Sequence, residues 1–239
     1  MEKIKAYKLA KPDGWDFYTG HTINYRGNIG KTVKCPNVSD HPKLCTDTVI
    51  HASVNPNDCF IGARIPCSAY EVKGSPVCGD EEKYGFTELH IIREITDLDT
   101  LFGWRYSEAA KPFNPLCKKQ LVKPEHVALL KKWASVWDSV WASVGDSVWA
   151  SVWDSVWDSV WASVWDSVRA SVRAYIGSLF PNIAQWKYIN HKAGEYPFQS
   201  AVDLWRAGFV PSFDGKTWRL HTGKDAKVVY EWTPEKKED

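Results

Sequence analysis

Apolar residues in the first half of the chain come in short runs set between turn residues. Stretches 4–9, 48–52, 69–72 and 88–95 each read as strands a few residues long. Between them, Lys11-Pro-Asp-Gly, Asn55-Pro-Asn and Lys73-Gly-Ser-Pro are turns, where Gly and Pro supply the backbone angles that a reversal needs. Residues 97–104 read as a single helical turn. This pattern predicts a small, mostly β domain over residues 1–120.

The period then changes. Pro124 suits the first turn of a helix, where its missing N–H has no partner to lose. Glu125 follows at the positive end of the helix dipole, and Val127, Leu130 and Ala134 fall on one face. Further on, residues 174–180 look helical up to Pro181, and 200–207 form another short helix with Gly208 as its cap. Apolar runs at 209–213, 216–221 and 228–232, with Asp214-Gly215 between the first two, predict a hairpin. The expected fold class is α+β in three parts: the β domain, a helical entry and repeat over 121–180, and a helix-plus-hairpin module over 181–239.

Between these flanks, residues 133–176 are eleven copies of a tetrapeptide. The first position is Trp in eight copies, Gly at Gly145, and Arg at Arg169 and Arg173. The second is Ala or Asp; the third is Ser except at Tyr175; the fourth is Val except at Ile176. A site that accepts Trp, Gly and Arg cannot be tightly packed, whereas sites fixed as Ser and Val can. The expectation is therefore an inward Ser–Val face and an outward Trp column. In an α-helix each stripe drifts about 40° per unit, giving a broad Ser–Val face and a helix of roughly 85 Å from 124 to 180. A β-solenoid is the alternative, because Trp and Val favour strands and Ser, Asp and Gly do not favour helix. The helix is preferred on its helix-like flanks.

Charge and composition narrow the functional classes. Net charge is +1 and no segment has a basic excess, which argues against nucleic acid as a partner. No run approaches the roughly 18 apolar residues of a membrane span, and residues 1–10 carry no apolar export core, so the expected location is the cytosol. All six cysteines precede the repeat, and none forms a Cys-x-x-Cys pair. Neither a metal nor a cofactor is expected, and the thiols are expected to be free.

The ring of Trp is large and stiff with one polar handle, which suits binding surfaces. The candidate contact residues are thus Trp133, Trp137, Trp141, Trp149, Trp153, Trp157, Trp161 and Trp165. The leading expectation is a non-enzymatic structural or interaction protein, its repeat serving as spacer, self-association surface or protein-binding surface. An enzyme in residues 1–117 is the alternative. Its one candidate residue is His51, on a strand-like run near Cys45, Asp47 and Ser53, where a Cys/His nucleophile pair is conceivable. A carbohydrate-binding adhesin using the Trp ladder is a second alternative. Gly27-Asn-Ile-Gly-Lys31-Thr32 ends like a phosphate loop but lacks the first Gly at the required spacing, and is rejected.

Several short motifs are familiar together: Lys5-Ala-Tyr-Lys8, Leu44-Cys45 with Ile50-His51-Ala52, Tyr70-Glu71-Val72 and Leu89-His-Ile-Ile-Arg-Glu-Ile95. With a Trp-Asp-Ser-Val array and the module from Ala201 to His221 behind them, they resemble an uncharacterised domain family of phage, prophage and metagenomic sequences. Where such relatives carry Gly before the residue preceding His-Ala, this chain has Val49. The resemblance implies a phage-linked origin, in a host cytosol or a phage particle, and a solenoid-like repeat. It implies no activity.

Overall fold

In the computed structural model, residues 2–143 and 168–235 are described. The chain has both α-helices and antiparallel sheets, an α+β composition. It divides into two compact units, residues 1–103 and 104–239. No described helix is long and apolar enough to cross a membrane.

The first unit is built on strands. β1 (Ile4–Ala10), β2 (Thr32–Lys34), β3 (Ile50–Ala52), β4 (Ser68–Gly74), β5 (Cys78–Gly79), β6 (Tyr84–Phe86) and β7 (Glu88–Ile95) form two antiparallel sheets, ordered β1-β4-β7-β2 and β3-β6-β5. β4 is a nearly all-buried inner strand of the larger sheet, pairing in continuous register with β1 (Tyr7 opposite Glu71) and, with a shift between Glu71 and Val72, with β7. Tyr25, Tyr70, Val72, Phe86, Leu89 and Ile91 fill the core. Gly74 has to be glycine: a β-carbon there would lie 2.8 Å from the Glu88 carbonyl and from Leu89. Across the sheet, Glu71 pairs with Lys5 and Arg93, each at 2.8 Å. The unit ends in helix Leu98–Phe102, whose first turn is capped by the Asp97 carboxylate accepting from the Thr100 amide at 3.0 Å.

The second unit mixes helices with one hairpin sheet. Its strands are β8 (Val210–Phe213), β9 (Trp218–Thr222) and β10 (Lys227–Trp232), ordered β10-β9-β8. Helices Pro124–Ala134, Arg169–Gly177 and Gln199–Arg206 pack with this sheet around Leu130, Trp133, Val140, Phe198, Leu204, Phe209 and Trp218. The helical entry, both described ends of the repeat and the C-terminal module therefore share one core. Three sequence segments have become two units, because the apolar faces at 124–143 and 168–177 are buried by the C-terminal helix and hairpin.

A single straight helix through 124–180 does not form. Helix Pro124–Ala134 ends at Ser135, a 3-10 turn follows at Trp137–Ser139, and Val140–Ser143 is one further turn. The Arg173 guanidinium lies 4.6 Å from the Trp141 ring centre, whereas a straight helix would hold these residues about 48 Å apart. Weak helix formers at the Ser and Asp positions leave the backbone free to turn where Val140 can join the aromatic core. The solenoid alternative falls on residues 144–167, outside the described residues.

Candidate functional site

In the first unit, alternation along β3 sends Ile50 and Ala52 into the core and His51 to the opposite face. That face opens on a cavity of about 250 Å³, lined among others by Cys45, His51, Cys59, Lys83, Tyr18 and Ile61. Three chemically capable side chains converge there. The Cys45 amide donates to His51 Nε2 at 2.9 Å, and the Lys83 ammonium donates to Cys45 Sγ at 3.0 Å.

Each of these residues is held by local structure that the sequence dictates. Cys45 adopts a left-handed backbone, φ 61°, rare for a residue with a side chain. Its loop is laced by threonines: Thr46 Oγ1 donates to the Lys43 carbonyl at 2.8 Å and lies 2.6 Å from Thr48 Oγ1. Lys83 stands on the β5–β6 hairpin, where Asp80 Oδ1 accepts from the Glu82 and Lys83 amides at 3.0 and 2.8 Å. His51 and Cys78 both pair with Gly85 on β6. A β-carbon at Gly85 would sit 2.6 Å from Cys78 Sγ, so glycine lets the three strands close behind His51.

The electrostatics assign protons. Burial lowers the His51 pKa, with Lys8 and Lys83 pushing the same way. A neutral ring whose Nε2 accepts an amide proton carries its own proton on Nδ1. His51 thus anchors the Cys45 backbone and is not aimed at Sγ through Nε2. The Lys83 pKa is raised, chiefly by its bond to Cys45. Cys59, the other cysteine of the cavity, donates its thiol to the Tyr7 carbonyl at 3.2 Å, and burial pushes its pKa up. The two thiols are therefore unlike: Cys59 is kept protonated inside, while Cys45 is exposed beside an ammonium.

Beneath the cavity, Lys8 and Asp16 form a buried ion pair at 2.9 Å, their side chains 12% and 8% exposed. The Tyr25 hydroxyl also donates to Asp16, at 3.1 Å. Burial pushes the Asp16 pKa up, but Lys8 and the hydrogen bonds outweigh it and hold the carboxyl at about 2.

The sequence brought His51, Cys45, Asp47 and Ser53 into one neighbourhood, and the structure keeps part of it. Ser53 lines the cavity, but the Asp47 carboxylate turns to Asn37 at 2.8 Å. Lys83, distant in sequence, replaces it. The sequence reading does not single out Lys83, because the turn at Asp80 that carries it does not say which strand lies opposite. Among the described residues, no group of three or more His, Cys, Asp or Glu side chains is placed to hold a metal.

The tryptophan candidates separate. Trp133 is a core residue, 1% exposed, with its ring edge-on to Phe198; it offers no surface for a partner. Trp137 is part-buried against Phe213 and Trp218 at centroid distances of 5.3 and 5.7 Å. Trp141 is 41% exposed. Trp149, Trp153, Trp157, Trp161 and Trp165 lie outside the described residues. Of the described fourth positions of the repeat, Val140, Val168, Val172 and Ile176 are buried and Val136 is part-buried. The third position divides, with Ser171 buried and Ser135 exposed.

Two further polar groupings lie in the second unit. Ser212 Oγ and His221 Nε2 meet at 2.7 Å, and His221 Nδ1 lies 2.9 Å from the Ala226 carbonyl. Both side chains are buried, so this pair ties the hairpin together and meets no substrate. A cavity of about 480 Å³ is lined by Arg105, Arg206, Trp186 and Gln199 among others. Arg206 is engaged by Glu108 at 3.0 Å.

The expected resemblance to phage and prophage domains rests on short sequence motifs alone. Comparison of the chain with protein-family models, with curated proteins and with solved structures finds no match.

Proposed function

We propose that the first unit carries a reactive-cysteine site that bonds covalently to a small electrophile. Cys45 is the nucleophile, Lys83 its counter-charge, and His51 the residue that positions the Cys45 loop. The observation that carries this reading is the Lys83 ammonium 3.0 Å from an exposed thiol at a cavity. A thiolate, not a thiol, is the attacking species, and an adjacent ammonium favours it. This develops the alternative of an enzyme centred on His51.

Cys117, also exposed, provides an internal reference. The full chain is treated with limiting iodoacetamide at pH 7, and each cysteine peptide is quantified by mass spectrometry. Cys45 is expected to be alkylated several-fold faster than Cys117, with the excess lost in Lys83→Met. Equal rates at the two cysteines in the unaltered protein would refute the reading.

A second reading, that the repeat is a self-association or protein-binding element, is supported by where its ends lie. Trp141 and Arg173 are in contact, and helix Arg169–Gly177 shares its core with Val140. The described residues on either side of 144–167 therefore lie next to each other in the second unit, which favours a contact role over that of a spacer between domains. The half-exposed ring of Trp141 is the described part of the contact surface. Replacing 144–167 with a short Gly-Ser bridge is expected to lower the mass seen by light scattering or to abolish partner capture. An unchanged mass together with unchanged capture would sink this second reading.

A further inference from the structure

We infer that the Cys45 site selects neutral carbonyl compounds with a compact apolar body of about eight non-hydrogen atoms. The inference rests on Cys45 being the nucleophile, and adds to that the class of molecule the cavity admits.

Size comes first. A volume of about 250 Å³ exceeds the roughly 150 Å³ of an apolar cavity that takes up benzene, so a phenyl ring with a short linker, about eight non-hydrogen atoms, fits. The walls favour such a group. Leu9, Phe17, Tyr18, Ile61 and Ala63 all line the cavity. Tyr18 and Ile61 do so while 76% and 49% exposed, so an apolar guest would remove from water surface that the protein leaves uncovered.

Charge then excludes ions. Lys8 reaches the cavity but is neutralised by Asp16 at 2.9 Å. Lys83 is bonded to the Cys45 sulfur, and Asp58 contributes a carboxylate to the same wall. With both lysines paired, Asp58 leaves the wall with an acidic excess that a carboxylate-bearing guest would meet, and an ion of either sign would give up its hydration against the apolar face. A neutral molecule meets neither penalty.

The chemistry follows from the Lys83–Cys45 contact. The thiolate adds to the carbonyl carbon; the C–S bond forms and the carbonyl π pair moves onto oxygen. That oxygen, bonded to the carbon that now carries sulfur, lies within reach of the ammonium 3.0 Å from Sγ. Lys83 gives it a proton and is reprotonated, through solvent, by the proton that the Cys45 thiol lost on ionising. For an aldehyde the product is a thiohemiacetal, with atoms and charge balanced and no other reactant.

The test uses three probes with one reactive group: iodoacetamide, its N-(2-phenylethyl) derivative, and iodoacetate. Rates at Cys45 and Cys117 of the full chain are read from the same digests. At Cys45 the phenylethyl probe is expected to react at least tenfold faster than iodoacetamide, and iodoacetate no faster. At Cys117 the phenylethyl-to-iodoacetamide ratio stays near one. Ile61→Ser, an exposed substitution, lowers the ratio at Cys45 toward that at Cys117. Hexanal at millimolar concentration protects Cys45 from iodoacetamide, and dilution restores labelling. If Cys45 outpaces Cys117 with iodoacetamide yet shows no phenylethyl preference, the nucleophile stands and the apolar class is refuted. If Cys45 is no faster than Cys117 with any probe, both fall.

Discussion

Asp16→Asn removes one charge from a pair that is almost completely enclosed by the first unit. In the folded protein the Asp16 carboxyl titrates at about 2, against an ordinary 3.8. At about 1.4 kcal/mol per tenfold change in proton affinity, that difference is worth about 2 kcal/mol of stability at neutral pH. Because the folded pKa is the lower one, the contribution is complete above the unfolded value of 3.8. It is lost as pH falls, from about pH 5 down through about 2. The substitution also leaves Lys8 enclosed without its counter-charge, so the total cost at pH 7 is expected to be about 2–4 kcal/mol. Replacing both partners, Lys8→Met with Asp16→Asn, removes the orphaned charge and is expected to recover part of it. Urea unfolding is followed at pH values from 2 to 7, with amide exchange of β1 and β4 peptides read by mass spectrometry to isolate this unit. The unaltered protein should lose stability more steeply than Asp16→Asn between pH 5 and 2. Parallel curves over that interval would refute the assignment of the pair as a folded-state ion pair.

Four other outcomes follow from the geometry. Lys83→Met is expected to slow Cys45 alkylation at pH 7 about two- to tenfold: the upper bound is the 1.4 kcal/mol that two unit charges 3.0 Å apart have in water, the lower bound the discount for exposed pairs. His51→Phe removes the acceptor of the Cys45 amide and should cost about 1 kcal/mol, read as faster hydrogen exchange at that amide and a smaller rate advantage of Cys45 over Cys117. Burial lowers the His221 pKa below 6.5, so its contribution is complete above 6.5 and is lost as pH falls below it; urea midpoints from tryptophan fluorescence should drop between pH 7 and 5 in the unaltered protein, and less so in His221→Gln. Trp133→Ala should cost about 3–5 kcal/mol and Trp141→Ala well under half of that, because only the first ring is enclosed; equal thermal shifts would contradict their burial.

Strands were legible where one face is buried and the period is two: the runs at 4–9, 69–72 and 88–95 became β1, β4 and β7. β2, β5 and β6 were not read, being two or three residues long and defined by their pairing partners. Half of the candidate site was legible. His51 stood out on an alternating run with Cys45 close in sequence, but Lys83 joins them only through the register His51↔Gly85 and the turn before it. The tryptophan reasoning assumed that every copy of the repeat has the same surroundings. Trp133 shows why that fails, because it lies three residues after Leu130 on the buried face of a helix that begins before the repeat. Its burial comes from the preceding helix and not from its place in the tetrapeptide.

The nearness of Trp141 to Arg173 bears on how such a gene changes. Tandem tetrapeptides need tandem twelve-nucleotide units, and near-repeats of that kind invite slippage during replication, which adds or drops whole copies. Where the third and last copies are clamped side by side, gaining or losing one between them need not alter the spacing of the helices that hold the clamp. Copy number can then drift between lineages while selection on the aromatic core, and on the thiol site in the other unit, continues unaffected.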